Sequence, residues 1–277
     1  MRCASPAGLH RIAYLEWGDP GNPLALICVH ALTRCARDFE PLALALCDRY
    51  RVVCPDVAGR GDSEWLADPA HYAIPQYVAD MVTLIARLDV ERVHWVGTSM
   101  GALIGMVLAA HKDTPVERLV MNDAGPVVSR AALERIAAYL GTAPTFPTFE
   151  AAEQFVRAVS APFGAHTDAE WRFLTANVLR QNGDRGYRLH YDPRIAEPYR
   201  NTIPERDLEL WPFYDAVACP TLVLRGEHSD LLLGETVAQM RERGPRAKAV
   251  EIPGVGHAPT LLHDDQIAVV HEFLLAG

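Results

Sequence analysis

Four short apolar runs, separated by helical patterns, set the narrowest limit on what this chain can fold into. They are "LALICVHA" (24–31), "RVVCPDVA" (51–58), "RVHWVG" (92–97) and "VERLVMND" (116–123). A short run that is apolar almost throughout suits a strand covered on both faces. Between the runs, Phe39, Leu42, Ala43 and Leu46 recur at helical spacing. Ile74, Tyr77, Val78, Met81, Val82, Ile85 and Leu88 mark one face of an amphipathic helix, and "MGALIGMVLAAHKD" is an almost wholly apolar one. This alternation predicts an α/β fold, with a mostly parallel central sheet and helices on both faces.

The alternation stops near Pro126 and resumes near Pro220, with only helical patterns between. Ser129 is placed to cap a helix carrying Leu133, Ile136, Ala137 and Leu140. Thr167 and Glu170 form a capping box ahead of Trp171, Leu174 and Val178. Proline-bearing breaks at 144–147, 193–198 and 204 separate the pieces. The expected organisation is a core of residues 1–126 and 211–277 with a helical cap, or lid, over 127–210. "PTLVLRG", "GETVAQMRER", "KAVEIPG" and "DDQIAVVHEFLL" then close the sheet as strand, helix, strand and helix.

The most informative local pattern is "VGTSMGA", a G-x-S-x-G placed between a predicted strand and a predicted helix. In that setting it predicts a nucleophile elbow: a turn so tight that Gly97 and Gly101 must flank it, with the Ser99 hydroxyl held clear. A serine hydroxyl attacks only when a base takes its proton. "IPGVGHAPTL" offers His257 in a glycine-bounded loop after a late strand. "LVLRGEHSDLL" offers Asp230 just past the preceding strand, to orient the imidazole. The order Ser99, Asp230, His257 fits this architecture, and all three follow strand ends on one edge of the sheet. An oxyanion hole needs two backbone N–H donors, expected from Met100 at the start of the helix and Leu32 in "VHALTR".

Other polar groups read as structural. His30 is expected to tie its loop to neighbouring backbone. Arg34, Arg37 and Asp38 should form an ion-paired helix start, and Asp56 and Ser63 should shape the "DVAGRGDS" loop. "RLHYDPRIAEPY" offers Arg188, His190 and Tyr191 as substrate contacts, and Trp171 is the cap aromatic expected beside them.

A net charge of −9 without a dense Lys/Arg block argues against a nucleic-acid partner. No apolar run is long enough to span a bilayer, and the first residues lack the apolar core of a secretory signal. The six cysteines show no metal-ligand spacing, so they are expected to be reduced, in the cytoplasm. The expected partner is a small-molecule substrate, with no membrane, no metal and no organic cofactor, the chain acting as monomer or homodimer.

"VHALTRCARDFEPLA", "DVAGRGDS", "GTSMGA", "MNDAGP", "LRGEHSD" and "GHAPTL" together resemble the α/β-hydrolase superfamily over nearly the whole length. The resemblance implies a capped serine hydrolase, foremost a carboxylesterase cleaving small to medium acyl esters through an acyl-enzyme. Two features depart from or qualify it. His30-Ala31 stands where the family has His-Gly, and some relatives carry the acid at the end of the strand before the cap, which makes Asp123 the rival of Asp230. Members cleaving C–C bonds of ring-opened aromatic metabolites commonly have Trp after the catalytic His and Asn before the elbow Ser. Ala258 and Thr98 occupy those positions here, which leaves that chemistry as the alternative. A non-catalytic, ligand-binding relative is the alternative from another class.

Overall fold

A computed structural model describes residues 1–201 and 205–276. A seven-stranded sheet runs through it in the spatial order Lys248–Ile252, Thr221–Gly226, Val116–Asn122, Val93–Thr98, Ala25–Val29, Arg51–Pro55, Tyr14–Trp17. All neighbouring pairs are parallel except the last, where Tyr14–Trp17 runs antiparallel to Arg51–Pro55. The apolar runs behave as two-sided strands. Every residue of Ala25–Val29 is buried. Ile27 and Val29 face one layer with Met81, Leu84, Ile104 and Leu108. Leu26 and Cys28 face the other, with Phe39, Leu42, Val270 and Phe273.

The helix Ile74–Leu88 buries Tyr77, Val78, Met81, Ile85 and Leu88 as its spacing requires, but Val82 is 49% exposed. Asp80 is buried on that face instead. Its carboxylate accepts from His10 Nε2 (3.0 Å) and from Gln76 Nε2 (2.8 Å). His10 belongs to an N-terminal hairpin, Arg2–Ser5 with Gly8–Arg11, which packs on this helix. Its mixed polar sequence carries no strand signal of its own.

Two helix starts in the inserted segment form as their caps dictate. Ser129 accepts from the Ala132 N–H at the head of Arg130–Tyr139, and the Thr167–Glu170 capping box opens Asp168–Val178. The segment is not wholly helical, however. Thr145–Phe146, Leu179–Gln181 and Tyr187–Leu189 make a small antiparallel sheet. Val127–Val128 pairs with Leu208–Glu209, so the chain leaves and rejoins the core along one ribbon. Strands of two or three residues have no room to display a period, so the helical reading of this region overlooked them. The predicted break at Pro204 falls outside the described residues. Among those described, no helix is long and apolar enough to cross a membrane, and all six cysteines are free thiols.

Candidate active site

The site is built at the carboxyl ends of Val93–Thr98, Val116–Asn122, Thr221–Gly226 and Lys248–Ile252, where an open α/β sheet leaves room above its strands. Ser99 joins Val93–Thr98 to the helix Met100–Ala109 with φ 52° and ψ −112°, a conformation rare for a residue with a side chain. The flanking glycines explain how the turn survives. A Cβ on Gly97 would lie 2.2 Å from the Gly101 carbonyl carbon and oxygen, and one on Gly101 would lie 2.0 Å from the Val29 carbonyl oxygen. Both contacts are with backbone, which cannot yield. The Ser99 N–H is anchored to the Asn122 carbonyl (2.8 Å).

His257 meets Ser99 from the loop after Lys248–Ile252, its Nε2 2.9 Å from Ser99 Oγ. Its Nδ1 lies 2.6 Å from Oδ2 of Asp123, not of Asp230. Asp123 is fully buried directly after Val116–Asn122, with φ 54°. The Gly226 N–H donates to its Oδ1 (2.8 Å), and the Ser229 hydroxyl donates to its Oδ2 (2.7 Å). A carboxylate so surrounded by donors remains an acceptor, so His257 presents Nδ1–H to it. Nε2 is thereby left to accept the Ser99 proton.

The expectation that Asp230 orients His257 is therefore corrected. Asp230 instead meets the helix Arg130–Tyr139, where Arg135 Nε and Nη2 donate to its two oxygens at 2.6 and 2.8 Å. The "GEHSD" turn does serve the histidine, but through Gly226 and Ser229, which hold the carboxylate that Asp123 supplies.

The Met100 N–H heads its helix, where no intrahelical acceptor is available, and Leu32 lines the cavity beside Ser99. Arg60, in the "DVAGRGDS" loop, ties the two together. Arg60 is fully buried; its Nε donates to the Leu32 carbonyl (2.8 Å), and its Nη2 approaches the Met100 sulfur (3.6 Å). Its Nη1 donates to the Ala58 carbonyl (2.7 Å) and the Tyr77 hydroxyl (2.8 Å). A lone arginine in a Gly-rich loop reads as solvated, and nothing local signals that three separate segments close over it.

His30 is fully buried as a strut. Nδ1–H donates to the Ala31 carbonyl (2.7 Å) and Nε2 accepts from the Val57 N–H (2.9 Å). Ala31 is not among the residues with positive φ, so alanine in place of the family's glycine costs this loop no strain. Burial, ahead of the opposing backbone bond to Ala31, pushes the His30 pKa from 6.5 down to about 4. A histidine whose folded pKa is depressed contributes stability that is complete above 6.5 and lost as pH falls towards 4, roughly 3 kcal/mol in full. Asp56 works in the opposite sense. Burial raises its carboxyl from 3.8 to about 6, so its contribution grows as pH falls through that window. By nitrogen-15 NMR, His30 should remain a neutral Nδ1–H tautomer until about pH 4. Titration near 6.5 would contradict this account.

Ser99 and His257 open onto a cavity of about 130 Å³. That is close to the ~150 Å³ of cavities that accept a benzene ring. Its walls are largely apolar, among them Ile136, Phe155, Val156, Phe163, Leu174 and Val178 from the inserted segment. Of the four expected substrate contacts, the structure brings only Tyr191 to this cavity. Trp171 packs against the His166 ring and under the Arg157 guanidinium. Arg188 stacks on Trp65, and His190 lies between Asp62 and Arg180, both outside the cavity. Strand alternation accounts for Arg188, since the small sheet turns Leu189 inward and Arg188 outward.

Arg34 and Asp38 form the ion pair expected of them, at 2.5 and 2.8 Å. The pair also holds the inserted helix Asp168–Val178. Arg34 donates to the Leu174 carbonyl (3.0 Å), and Asp38 accepts from Asn177 (3.0 Å).

A sharp serine turn, an imidazole between its hydroxyl and a buried carboxylate, and a doubly wound sheet beneath them together define a hydrolase of the α/β type. Residues 25–264 match the alpha/beta hydrolase fold family, and the chain belongs to that family. It is 54% identical to a 3-hydroxybutyrate-oligomer hydrolase from Cupriavidus necator, over 99% of this chain and 96% of that protein. A solved structure from Rickettsia typhi superposes with a TM-score of 0.91 at 32% identity, covering 97% of this chain and 92% of the other. An alpha/beta hydrolase from Novosphingobium aromaticivorans gives 0.87 at 36% identity, covering 99% and 96%. The chain is an enzyme, a hydrolase of this fold.

Proposed function

We propose that the chain is a serine esterase that cleaves short oligoesters of 3-hydroxybutyrate, through an acyl-enzyme on Ser99. The observation that carries this reading is the hydrogen-bonded line Ser99–His257–Asp123 at the wall of a small apolar cavity. Likeness to the 3-hydroxybutyrate-oligomer hydrolase supports the substrate class. Ser99 Oγ attacks the ester carbonyl while its proton passes to His257 Nε2. Asp123 stabilises the imidazolium that forms. The Met100 and Leu32 N–H groups receive the negative oxygen of the tetrahedral intermediate.

Collapse of that intermediate breaks the ester C–O bond. His257 gives its proton to the departing 3-hydroxyl, so the leaving alcohol is a shorter oligomer or a monomer. Water, deprotonated by His257, then attacks the acyl-Ser99 carbonyl and releases the free acid. Every step uses this chain's own groups. Each turnover consumes one water and yields one alcohol and one acid, with no redox change.

The test is direct. Incubation with the free-acid dimer and trimer of 3-hydroxybutyrate should release monomer, followed by chromatography. A fluorophosphonate should block the release and leave one adduct, on Ser99. A labelled enzyme that cleaves other esters but neither oligomer would remove the substrate. An unlabelled, inactive protein would remove the mechanism.

A further inference from the structure

The cavity beside Ser99 and His257 is lined by two arginines and one aspartate, which sit in contrasting surroundings. Arg34 and Asp38 neutralise each other, with side chains only 8% and 16% exposed. Their bonds to the helix Asp168–Val178 lock them further. Arg135 differs. It reaches the cavity from the helix Arg130–Tyr139, yet its partner Asp230 is not part of the cavity lining. Asp230 stands outside, on the core loop after Thr221–Gly226. The two side chains are 40% and 50% exposed.

The cavity therefore holds one positive charge whose counter-ion lies beyond its wall. An ion pair this open to water is weakly held, because solvent screens it and solvates either partner once released. Asp230 can surrender the guanidinium at little cost, whereas Asp38 cannot. Arg135 presents Nε and Nη2 together, the edge that grips a carboxylate through two parallel hydrogen bonds. Asp230 already occupies that edge as a carboxylate would.

We propose that Arg135 is the subsite for the free carboxylate at the acid end of the substrate, which displaces Asp230 as the oligoester enters. This rests on the ester-hydrolase reading above. Asp230 keeps the guanidinium extended and forked in the empty enzyme, and the substrate exchanges one carboxylate for another. An oligoester of a hydroxy acid has one such terminus. Arg135 thus selects chains with a free acid end over chains whose end is blocked.

Two substrates separate the possibilities: the 3-hydroxybutyrate trimer as free acid, and the same trimer as its methyl ester. Wild-type enzyme should favour the acid. Arg135→Gln should lower the ratio of kcat/KM for acid over methyl ester by about tenfold to a hundredfold, chiefly through KM, as expected for a lost charged hydrogen bond. Arg135→Lys should restore part of it. Asp230→Asn removes the competing carboxylate and should move the ratio the other way, by lowering KM for the acid. An unchanged ratio in Arg135→Gln, or a ratio that falls in Asp230→Asn, overturns the subsite while leaving the esterase reading intact. If wild-type enzyme cleaves neither trimer, the substrate reading fails and the subsite falls with it.

Discussion

Ser99→Ala should lower kcat on any ester substrate by roughly 10⁶, to the residual rate that binding and the oxyanion donors alone supply. The size of the loss follows from the geometry. His257 Nε2 is 2.9 Å from Ser99 Oγ, and removing that oxygen leaves the base with no nucleophile to deprotonate. The fold should not suffer. Ser99 sits at φ 52°, a strain set by the turn and borne equally by alanine, and its side chain takes no part in capping the following helix. Turnover of the 3-hydroxybutyrate trimer, a fluorophosphonate label and a thermal melt on the same preparation make the measurement complete. A folded Ser99→Ala enzyme that keeps even a hundredth of its rate would mean that another group is the nucleophile.

Asp123→Asn should cost about 10⁴ in kcat, through the tautomer of a neighbour. The Asp123 carboxylate accepts from Gly226, Ser229 and His257. Asparagine can keep the first contact with its carbonyl oxygen, but its NH₂ then faces Ser229 and His257. The serine hydroxyl turns and accepts. The imidazole can satisfy that NH₂ only by making Nδ1 the acceptor, which moves its proton to Nε2, opposite Ser99 Oγ. A base carrying its proton on that side cannot take the serine's. Most of the loss should appear in kcat, and the pH profile should lose the limb that reports the base. Asp230→Asn leaves every one of these bonds in place, so its effect should fall on substrate preference. A collapse of kcat in Asp230→Asn with normal turnover in Asp123→Asn would reverse the assignment.

Ser99 and His257 were legible because their signals are local. Glycines on both sides of a serine between strand and helix report a turn too tight for any Cβ, and the contacts at Gly97 and Gly101 are backbone contacts within that motif or with the adjacent strand. The sheet was legible for a related reason. A strand such as Ala25–Val29, covered on both faces, must be apolar throughout, and that requirement is written along five consecutive residues. The choice of acid was not written in this way. Asp123 and Asp230 both follow strands on the same edge, and linear order favoured the wrong one.

What separates the two acids is direction. A left-handed turn at Asp123 (φ 54°) puts its carboxylate among the Gly226 N–H, the Ser229 hydroxyl and the His257 imidazole. Asp230, one residue beyond Ser229, points instead to a helix some 95 positions away in sequence. The cavity walls and the burial of Arg60 belong to the same class of fact. Each depends on segments far apart in the chain meeting in space: 32, 77 and 100 around Arg60, and 99, 136, 163 and 191 around the cavity. Sequence by itself determined the elements whose constraints lie within a few residues, namely the two-sided strands, the serine turn and the capped helices. Tertiary structure alone decided which carboxylate meets His257 and which side chains line the cavity, because a side chain's partner across the fold leaves no trace in the residues beside it.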